Sequence, residues 1–277
     1  MFEIIEKVNL NDTVVKMTVK APLVAKKIEA GQFIILMAHE KGERVPFTVA
    51  DFDREKGLVT IIFQIVGATT MLLSEMKKGD FLSDFAGPLG RPTELDSYKR
   101  VVVIGGGLGC AIAYPQAKAL FGRGCEVDII AGFKNRDLVI LEDEMKGVCN
   151  NLFITTDDGS YGEKGLVTDK LKTLAKEKKY DLVIAIGPVI MMKFCEMAAR
   201  EFDLPIIVSL NPIMIDGTGM CGGCRVRVGG EVKFACVDGP DFDGHLVDFD
   251  SLMKRNRSYA EEEKRSVEKH NCKIGRT

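Results

Sequence analysis

The sequence predicts a β-barrel joined to an α/β domain. The parts are a small antiparallel barrel over residues 1–96, a doubly wound parallel-sheet domain over 97–212, and a short loop region with a charged tail over 213–277. Three observations predict this. Closely spaced β-branched runs fill the first third of the chain. Apolar strands then alternate with helical stretches, the sign of a parallel sheet covered on both faces. Finally, three cysteines crowd together near the C-terminus, in a segment too small and too polar to fold alone.

Composition supports a globular reading. Of 277 residues, 46% are hydrophobic and 28% charged, a balance that can bury a sizeable core. A formal net charge of -2 gives no basic surplus for nucleic acid and no hint of a membrane surface. The start, Met1-Phe2-Glu3-Ile4-Ile5-Glu6-Lys7, lacks the pattern of a signal peptide, and no apolar stretch is long enough to span a bilayer. A cytoplasmic protein is expected.

In the first part, Thr13–Val19, Gln32–Met37 and Leu58–Val66 read as strands, with one short helix near Thr70 to Lys77. Gly87-Pro88-Leu89-Gly90-Arg91-Pro92 is expected to break regular structure. In the second part the strands are Val101–Ile104, Val127–Ala131, Leu152–Thr156, Leu182–Ile186 and Ile206–Leu210. Helical stretches at Cys110–Gly122, Leu166–Lys178 and Val189–Glu201 separate them. The third part carries the acidic run Asp238 to Asp250, then a helical tail from Ser251.

Several strings carry chemistry. Gly105-Gly106-Gly107-Leu108-Gly109 follows a buried strand and opens a helix. Glycines there let the backbone turn tightly and approach a pyrophosphate, which a helix N-terminus favours electrostatically. The acidic residue expected after the second strand is missing. Gly132-Phe133-Lys134-Asn135-Arg136 stands there, and Lys134 and Arg136 read equally as contacts to a 2′-phosphate or as solvated charges. Gly67-Ala68-Thr69-Thr70 is either a second phosphate-sized helix start or a plain threonine cap. Arg44, before Pro46-Phe47-Thr48, is a candidate phosphate contact. Gly187-Pro188-Val189-Ile190-Met191-Met192 lies past the fourth parallel strand, where ligands of doubly wound sheets sit, although a methionine pair also suits a core.

Eight cysteines in a reducing compartment are not a disulfide framework. Cys110, Cys125, Cys149 and Cys195 read as small buried side chains, and Cys272 as incidental. Asp216-Gly217-Thr218-Gly219-Met220-Cys221-Gly222-Gly223-Cys224, followed by Cys236, fits a plant-type 2Fe–2S loop, C-x4-C-x2-C plus a later cysteine, if Asp216 takes the first position. A structural zinc site is the rival, since zinc also accepts Cys and Asp. Asp216-Gly217 also reads as a turn, with His245 the other nearby ligand candidate, although its place in an acidic loop suggests a surface histidine.

With these motifs in order, the chain resembles the ferredoxin–NADP+ reductase superfamily over nearly its whole length. Within it, the chain is similar to electron-transfer subunits of dihydroorotate dehydrogenase. It is more similar still to small subunits of NADH-dependent ferredoxin:NADP+ oxidoreductases, also known as sulfide dehydrogenase subunits. The most specific strings are Val101 to Pro115, Thr155-Thr156-Asp157-Asp158-Gly159-Ser160-Tyr161-Gly162, Gly187 to Met192, and Asp216 to Cys236. The resemblance implies FAD near Arg44, Pro46, Phe47, Thr48, Gly67, Thr69 and Thr70. It implies NAD(H), with NADP(H) left open, near Gly105, Gly106, Gly107, Gly109, Asp157, Gly187, Pro188 and Met191. A 2Fe–2S cluster would sit on Asp216, Cys221, Cys224 and Cys236.

Two departures matter. The superfamily's flavin motif, Arg-x-Tyr-Ser/Thr, ends here in Phe47-Thr48, but Val45 stands where Arg belongs and Arg44 is one residue off. The dihydroorotate dehydrogenase subunit has Cys where Asp216 stands, which favours the ferredoxin:NADP+ oxidoreductase subunit. That subunit would pair with a larger flavin- and iron–sulfur-containing subunit as a heterodimer, reach ferredoxin through it, and share in electron bifurcation. No proton-transfer residue is required, because the cofactors do the chemistry. The rival readings are the dihydroorotate dehydrogenase partner and a zinc-stabilised nucleotide-binding module.

Overall fold

The computed structural model describes residues 1–273. Seven strands form the first unit: β1 (Phe2–Asn9), β2 (Val14–Lys20), β3 (Phe33–Met37), β4 (Val45–Asp53), β5 (Leu58–Gln64), β6 (Phe81–Leu82) and β7 (Asp84–Leu89). They pair in the order β6-β1-β2-β5-β4-β3-β7, an antiparallel sheet that curls into a nearly closed barrel. Two short helices, α1 (Pro22–Ala25) and α2 (Ala68–Glu75), interrupt it. Val15, Met17, Val19, Ile34, Leu36, Val59, Ile61 and Phe63 fill the interior. Their spacing of two is the strand period that turns alternate side chains inward.

The expected break at Gly87–Pro92 falls later than the glycine–proline pair suggests, since β7 runs through Gly87 and Pro88 to Leu89. β7 is the edge of its sheet, where a proline's missing N–H removes no central ladder bond. β1 and most of β4 are strands that the sequence reading did not pick out.

The second unit follows. Its parallel strands are β8 (Arg100–Gly106), β9 (Glu126–Phe133), β10 (Asn151–Thr156), β11 (Glu163–Lys164), β12 (Leu182–Ile186) and β13 (Ile206–Ser209). Helices α3 (Gly109–Gly122), α4 (Glu142–Lys146), α5 (Val167–Glu177) and α6 (Val189–Glu201) cover it. Val101 and Val103 face one apolar cluster, Val102 and Ile104 the other. A strand buried on both faces reads as an unbroken apolar run, which is why this part was legible.

The third unit is interleaved with the other two. A hairpin, β14 (Arg225–Val228) and β15 (Glu231–Phe234), leads into the short helix α7 (Ala235–Asp238). Strand β16 (Asp241–Asp243) then joins the parallel sheet antiparallel to β13. Helices α8 (Phe249–Asn256) and α9 (Ala260–Lys273) end the described chain. Cys110, Cys125 and Cys195 are buried and Cys149 is half-buried, as small core side chains should be. The side chain of Cys272 lies outside the described residues.

One acidic side chain, Asp128, is fully buried in the second unit. The Asp128 carboxylate accepts from Tyr180 Oη at 2.6 Å, Asn151 Nδ2 at 2.6 Å and Lys178 Nζ at 2.9 Å. Burial raises its pKa, and the three hydrogen bonds outweigh that and hold it below the usual carboxylate range. Asp128→Ala should therefore cost about 3 kcal/mol at neutral pH, because Tyr180 and Lys178 lose their partner. A lowered carboxyl gives stability above its unfolded pKa and loses it as pH falls through the folded value. Urea denaturation should show the gap between wild type and variant closing in acid; a gap constant with pH would contradict the assignment.

Candidate functional site

The cysteine loop is held by the barrel. Phe33 and Ile35 point away from the barrel interior and form one buried cluster with Cys224, Ala235 and Cys236. Gly217, at φ 80°, lies so close that an added Cβ would stand 3.1 Å from Leu89 Cδ1 and would also strike Ile35. Only glycine meets both the left-handed conformation and the close approach. Gly219 and Gly222 also have positive φ, at 82° and 68°.

The hairpin brings the later cysteine back. Arg225 pairs with Phe234, and Ala235 N–H donates to Cys224 O at 3.1 Å. Gly229-Gly230, both at positive φ, make the turn. This glycine pair is the sequence signal that was missed. Cys224 Sγ and Cys236 Sγ are consequently 3.1 Å apart and buried. Backbone N–H groups face the sulfurs: Cys236 N donates to Cys224 Sγ at 3.4 Å, and Gly223 N to Cys221 Sγ at 3.4 Å. Burial first, then the hydrogen bond with Cys224, pushes the Cys236 thiol up to about 12. A thiol raised in this way gives up its proton when a metal cation binds it.

The other two predicted ligands stand further out. Cys221 is exposed, and the Asp216 carboxylate accepts from the Thr218 hydroxyl. Among the described residues, no three His, Cys, Asp or Glu side chains close into a complete metal-binding group. His245 is held by the fold rather than free at the surface, where the sequence reading set it. Gly244 backs onto Ile206 and Val208, so the ring turns in between α6 and β13. Nδ1 meets Glu196 Oε1 at 2.8 Å and Nε2 meets Leu204 O at 2.9 Å, so both ring nitrogens are engaged.

The flavin-motif residues lie one strand away from the cysteine loop. Ile35 pairs with Pro46, Phe33 with Thr48, and Ile34 with Phe47. Phe47 therefore points inward, against Phe63 with ring centroids 5.6 Å apart, while Pro46 and Thr48 share the outer face with Phe33 and Ile35. Arg44 pairs with Asp84 at 3.3 Å on the surface. Thr69 Oγ1 donates to Glu43 Oε2 at 2.8 Å, placing the start of α2 beside the start of β4. The Thr70 hydroxyl accepts from Gly67 N at 2.9 Å and Val66 N at 3.0 Å, so it is committed to capping the helix.

The glycine loop of the second unit sits at the strand C-termini. An added Cβ at Gly109 would collide with Ile186 O, and one at Gly105 would approach Cys110 Cα to 2.6 Å. These two glycines let α3 pack tightly on the sheet. An added Cβ at Gly106 would strike Met191 Sδ and approach Pro188 Cδ to 3.3 Å, so the Gly187-Pro188 loop and the glycine loop touch. Gly107 differs: φ is 55° and a Cβ there would meet nothing within 4 Å. Met192 is buried in the core and Met191 packs against the same cluster. At the next strand ends, Asp157 N donates to Phe133 O at 3.0 Å and the Arg136 guanidinium lies 5.5 Å from the Tyr161 ring centroid. Lys134 is exposed beside them.

A barrel, a doubly wound sheet whose glycine loop opens α3, and a cysteine loop on the barrel's outer face define a reductase-type electron-transfer protein. The comparisons agree. A family model for the iron–sulfur cluster binding domain of dihydroorotate dehydrogenase B matches residues 211–248. A Thermotoga maritima homolog of the dihydroorotate dehydrogenase B (NAD+) electron transfer subunit is 49% identical over 96% of this chain and 94% of its own. The chain belongs to this family of electron-transfer subunits. A structure of an NADH-dependent reduced ferredoxin-NADP oxidoreductase, reported for flavin-based electron bifurcation, superposes with TM-score 0.92 at 49% identity, covering 97% of each chain. A ferredoxin NADP+ reductase from Neisseria gonorrhoeae, 17% identical with TM-score 0.60 over 73% of this chain and 91% of its own, shares the fold. No helix among the described residues is long and apolar enough to cross a membrane.

The Thr70 cap can be tested without any cofactor. Thr70→Val should lower stability by about 1 kcal/mol, the usual value of a lost helix cap. Thr69→Val, which loses only an exposed contact, should stay within about 0.5 kcal/mol of wild type. Urea midpoints of flavin-free protein decide, and equal losses would refute the division of roles.

Proposed function

We propose that this chain exchanges a hydride between NAD(H) and FAD and passes electrons singly to a 2Fe–2S cluster. The observation that carries this is the shared outer face of β3 and β4. Pro46 and Thr48 of the flavin motif and the loop carrying Cys221, Cys224 and Cys236 lie on the same side of adjacent strands. A flavin bound along β4 is thereby next to the cysteine loop. The family model matched at residues 211–248 supports iron–sulfur over zinc for that loop.

FAD, when bound, supplies a centre that takes two electrons as hydride and releases them one at a time. The chain's own residues position it. Thr48 and Pro46 border the ring or ribityl chain. The free N–H groups at the start of α2, with Thr69 and Arg44, face the pyrophosphate; Gly67 leaves that approach open, since an added Cβ there would meet nothing within 4 Å. Gly105, Gly106, Gly107 and Gly109 receive the nicotinamide dinucleotide's pyrophosphate, Gly187, Pro188 and Met191 border its nicotinamide end, and Asp157 its far end. Asp216 completes the set of Cys221, Cys224 and Cys236 by leaving Thr218.

The partner in this reading is a larger flavin- and iron–sulfur-containing subunit, with ferredoxin reached through it in the cytoplasm. Ile215, Met220 and Val237 flank the cysteine loop and are 54%, 89% and 39% exposed, a patch of apolar surface suited to a protein contact. Co-purification with the untagged partner tests this, and recovery of a dihydroorotate-oxidising subunit instead would decide for the rival partner.

Three variants test the site. Gly107→Asn suits a left-handed backbone but fills the open space above the loop. It should weaken NADH binding at least tenfold, about 1.4 kcal/mol, with FAD retained. Unchanged NADH titration of the flavin absorbance would place the dinucleotide elsewhere, and a preference for NADPH would overturn the nicotinamide assignment. Asp216→Ala should make the cluster labile while Asp216→Cys keeps it with an altered spectrum, because carboxylate is the harder ligand. An unaltered paramagnetic resonance signal in both would leave Asp216 as a turn residue.

A further inference from the structure

Cys236 is followed closely by Asp241, and the stretch between them is gripped by the loop that leaves the barrel. Arg91 N donates to Gly239 O at 2.6 Å and Arg91 Nε to Val237 O at 3.2 Å. An added Cβ at Gly90 would stand 2.9 Å from Gly239 O. The grip ends on the Asp241 carboxyl. Its Oδ2 accepts from Thr93 Oγ1 at 2.5 Å and from Gln116 Nε2 at 2.9 Å. Gln116 Nε2 also donates to Thr93 Oγ1 at 2.8 Å, and Thr93 N donates to Ala30 O at 3.0 Å. Asp241 pairs in the sheet with Ser209, whose hydroxyl faces the same carboxyl. Barrel, connecting loop, α3, β13 and the cysteine segment therefore meet at one side chain.

The site lacks a counter-charge. On neighbouring elements, Arg91 is engaged by Asp238, while Arg200 and His245 both engage Glu196. Glu94 on the connecting loop, Asp203 before β13 and Asp243 on the same strand border the adjoining cleft of about 780 Å3, together with the already paired Arg91, Arg200 and His245. Asp241 Oδ1 and Gln116 Oε1 are buried with no hydrogen-bond partner among the described residues. Two orphan acceptors with no cation call for a proton, which the neutral acid carries.

Building on the proposed function, we propose that Asp241 is a positioning residue for the flavin-to-cluster electron step: its carboxyl clamps the segment carrying Cys236 to the barrel and the nucleotide domain together, and its ionisation loosens that clamp. Burial, opposed by Ser209 and Thr93, pushes the carboxyl up to about 6. The sign follows. An acid raised above its unfolded value of about 3.9 contributes stability below that value and loses it as pH rises through the folded one. The clamp is closed in mild acid and slackens above about pH 6.

Two measurements on the full chain test this. The first needs no cofactor chemistry. Asp241→Asn, neutral at every pH, should be more stable than wild type at pH 7.5 and equal to it near pH 4, and the wild-type amides of residues 236–243 should exchange faster as pH rises beyond the intrinsic trend. Identical pH dependence of melting in the two proteins overturns the clamp. The second reads the electron step with flavin photoreduced by a sacrificial amine donor such as EDTA, so that NADH binding plays no part. Electron transfer slows with separation, so Asp241→Ala should slow cluster reduction severalfold. Asp241→Asn should restore the rate and remove its fall above pH 6. Gln116→Leu should slow it as well, which serves if Asp241→Ala folds poorly. Flavin reduction by NADH, measured separately, should be the same in all four proteins. Cluster reduction equal to wild type in both Asp241→Ala and Gln116→Leu overturns the positioning role. A wild-type protein without flavin or cluster would fail the proposed function, and the melting comparison would still decide the clamp.

Discussion

The structure depends on β3 being apolar on both faces. Ile34 and Leu36 fill the barrel, while Phe33 and Ile35 are just as buried under the cysteine loop. An antiparallel barrel strand ordinarily shows water one of its faces. Here the second face is the floor on which a segment without a core of its own is built. Phe33 and Ile35 exclude water from beneath Cys224 and Cys236, and Gly217 allows the loop to approach without a clash. Burial of these side chains contributes roughly 1.5–3 kcal/mol each, which a loop rich in glycine needs to offset its ordering entropy.

Much of this was legible in the sequence, for unequal reasons. Val101–Ile104 and Leu182–Ile186 are buried on both faces, so composition alone marks them. β1 was not, because Glu3, Ile5 and Glu6 alternate irregularly around a register shift between Ile4 and Glu6. Gln32–Met37 was read as a strand, but nothing in its pattern tells which apolar side faces the barrel and which the loop. That distinction is tertiary. Pairing of Phe33 with Thr48 and Ile35 with Pro46 supplies it.

The cysteine loop shows the same division. Residue types and spacing pointed to Cys221, Cys224 and Cys236 without any structure. The return of Cys236 onto Cys224 needed the hairpin turn at Gly229-Gly230, whose signal was present and unread. His245 misled because it lies within the acidic run Asp238 to Asp250, while its neighbours in space are Glu196 and Leu204. Local composition reports solvent exposure only where the chain does not fold back, and here β16 does. Asp241 and Gln116 carried no local signal at all, since a single polar residue in a strand or helix reads as a surface position until its surroundings are known.

The path of the chain after Cys236 constrains how the parts move. Had the cysteine segment ended in solvent, it would ride on the barrel alone. It instead runs past Arg91, pairs through Asp241–Asp243 with β13, and sends His245 between α6 and the sheet. The β13 pairing and the His245 contacts tie the segment to the nucleotide domain, while Arg91, Phe33, Ile35 and Leu89 tie it to the barrel side. A rotation of one domain against the other would have to shear the cysteine loop off one of its two supports. Electron transfer weakens steeply with separation, and hydride transfer requires near contact. A loop supported from both domains constrains the first of these distances through the packing of the two domains on each other.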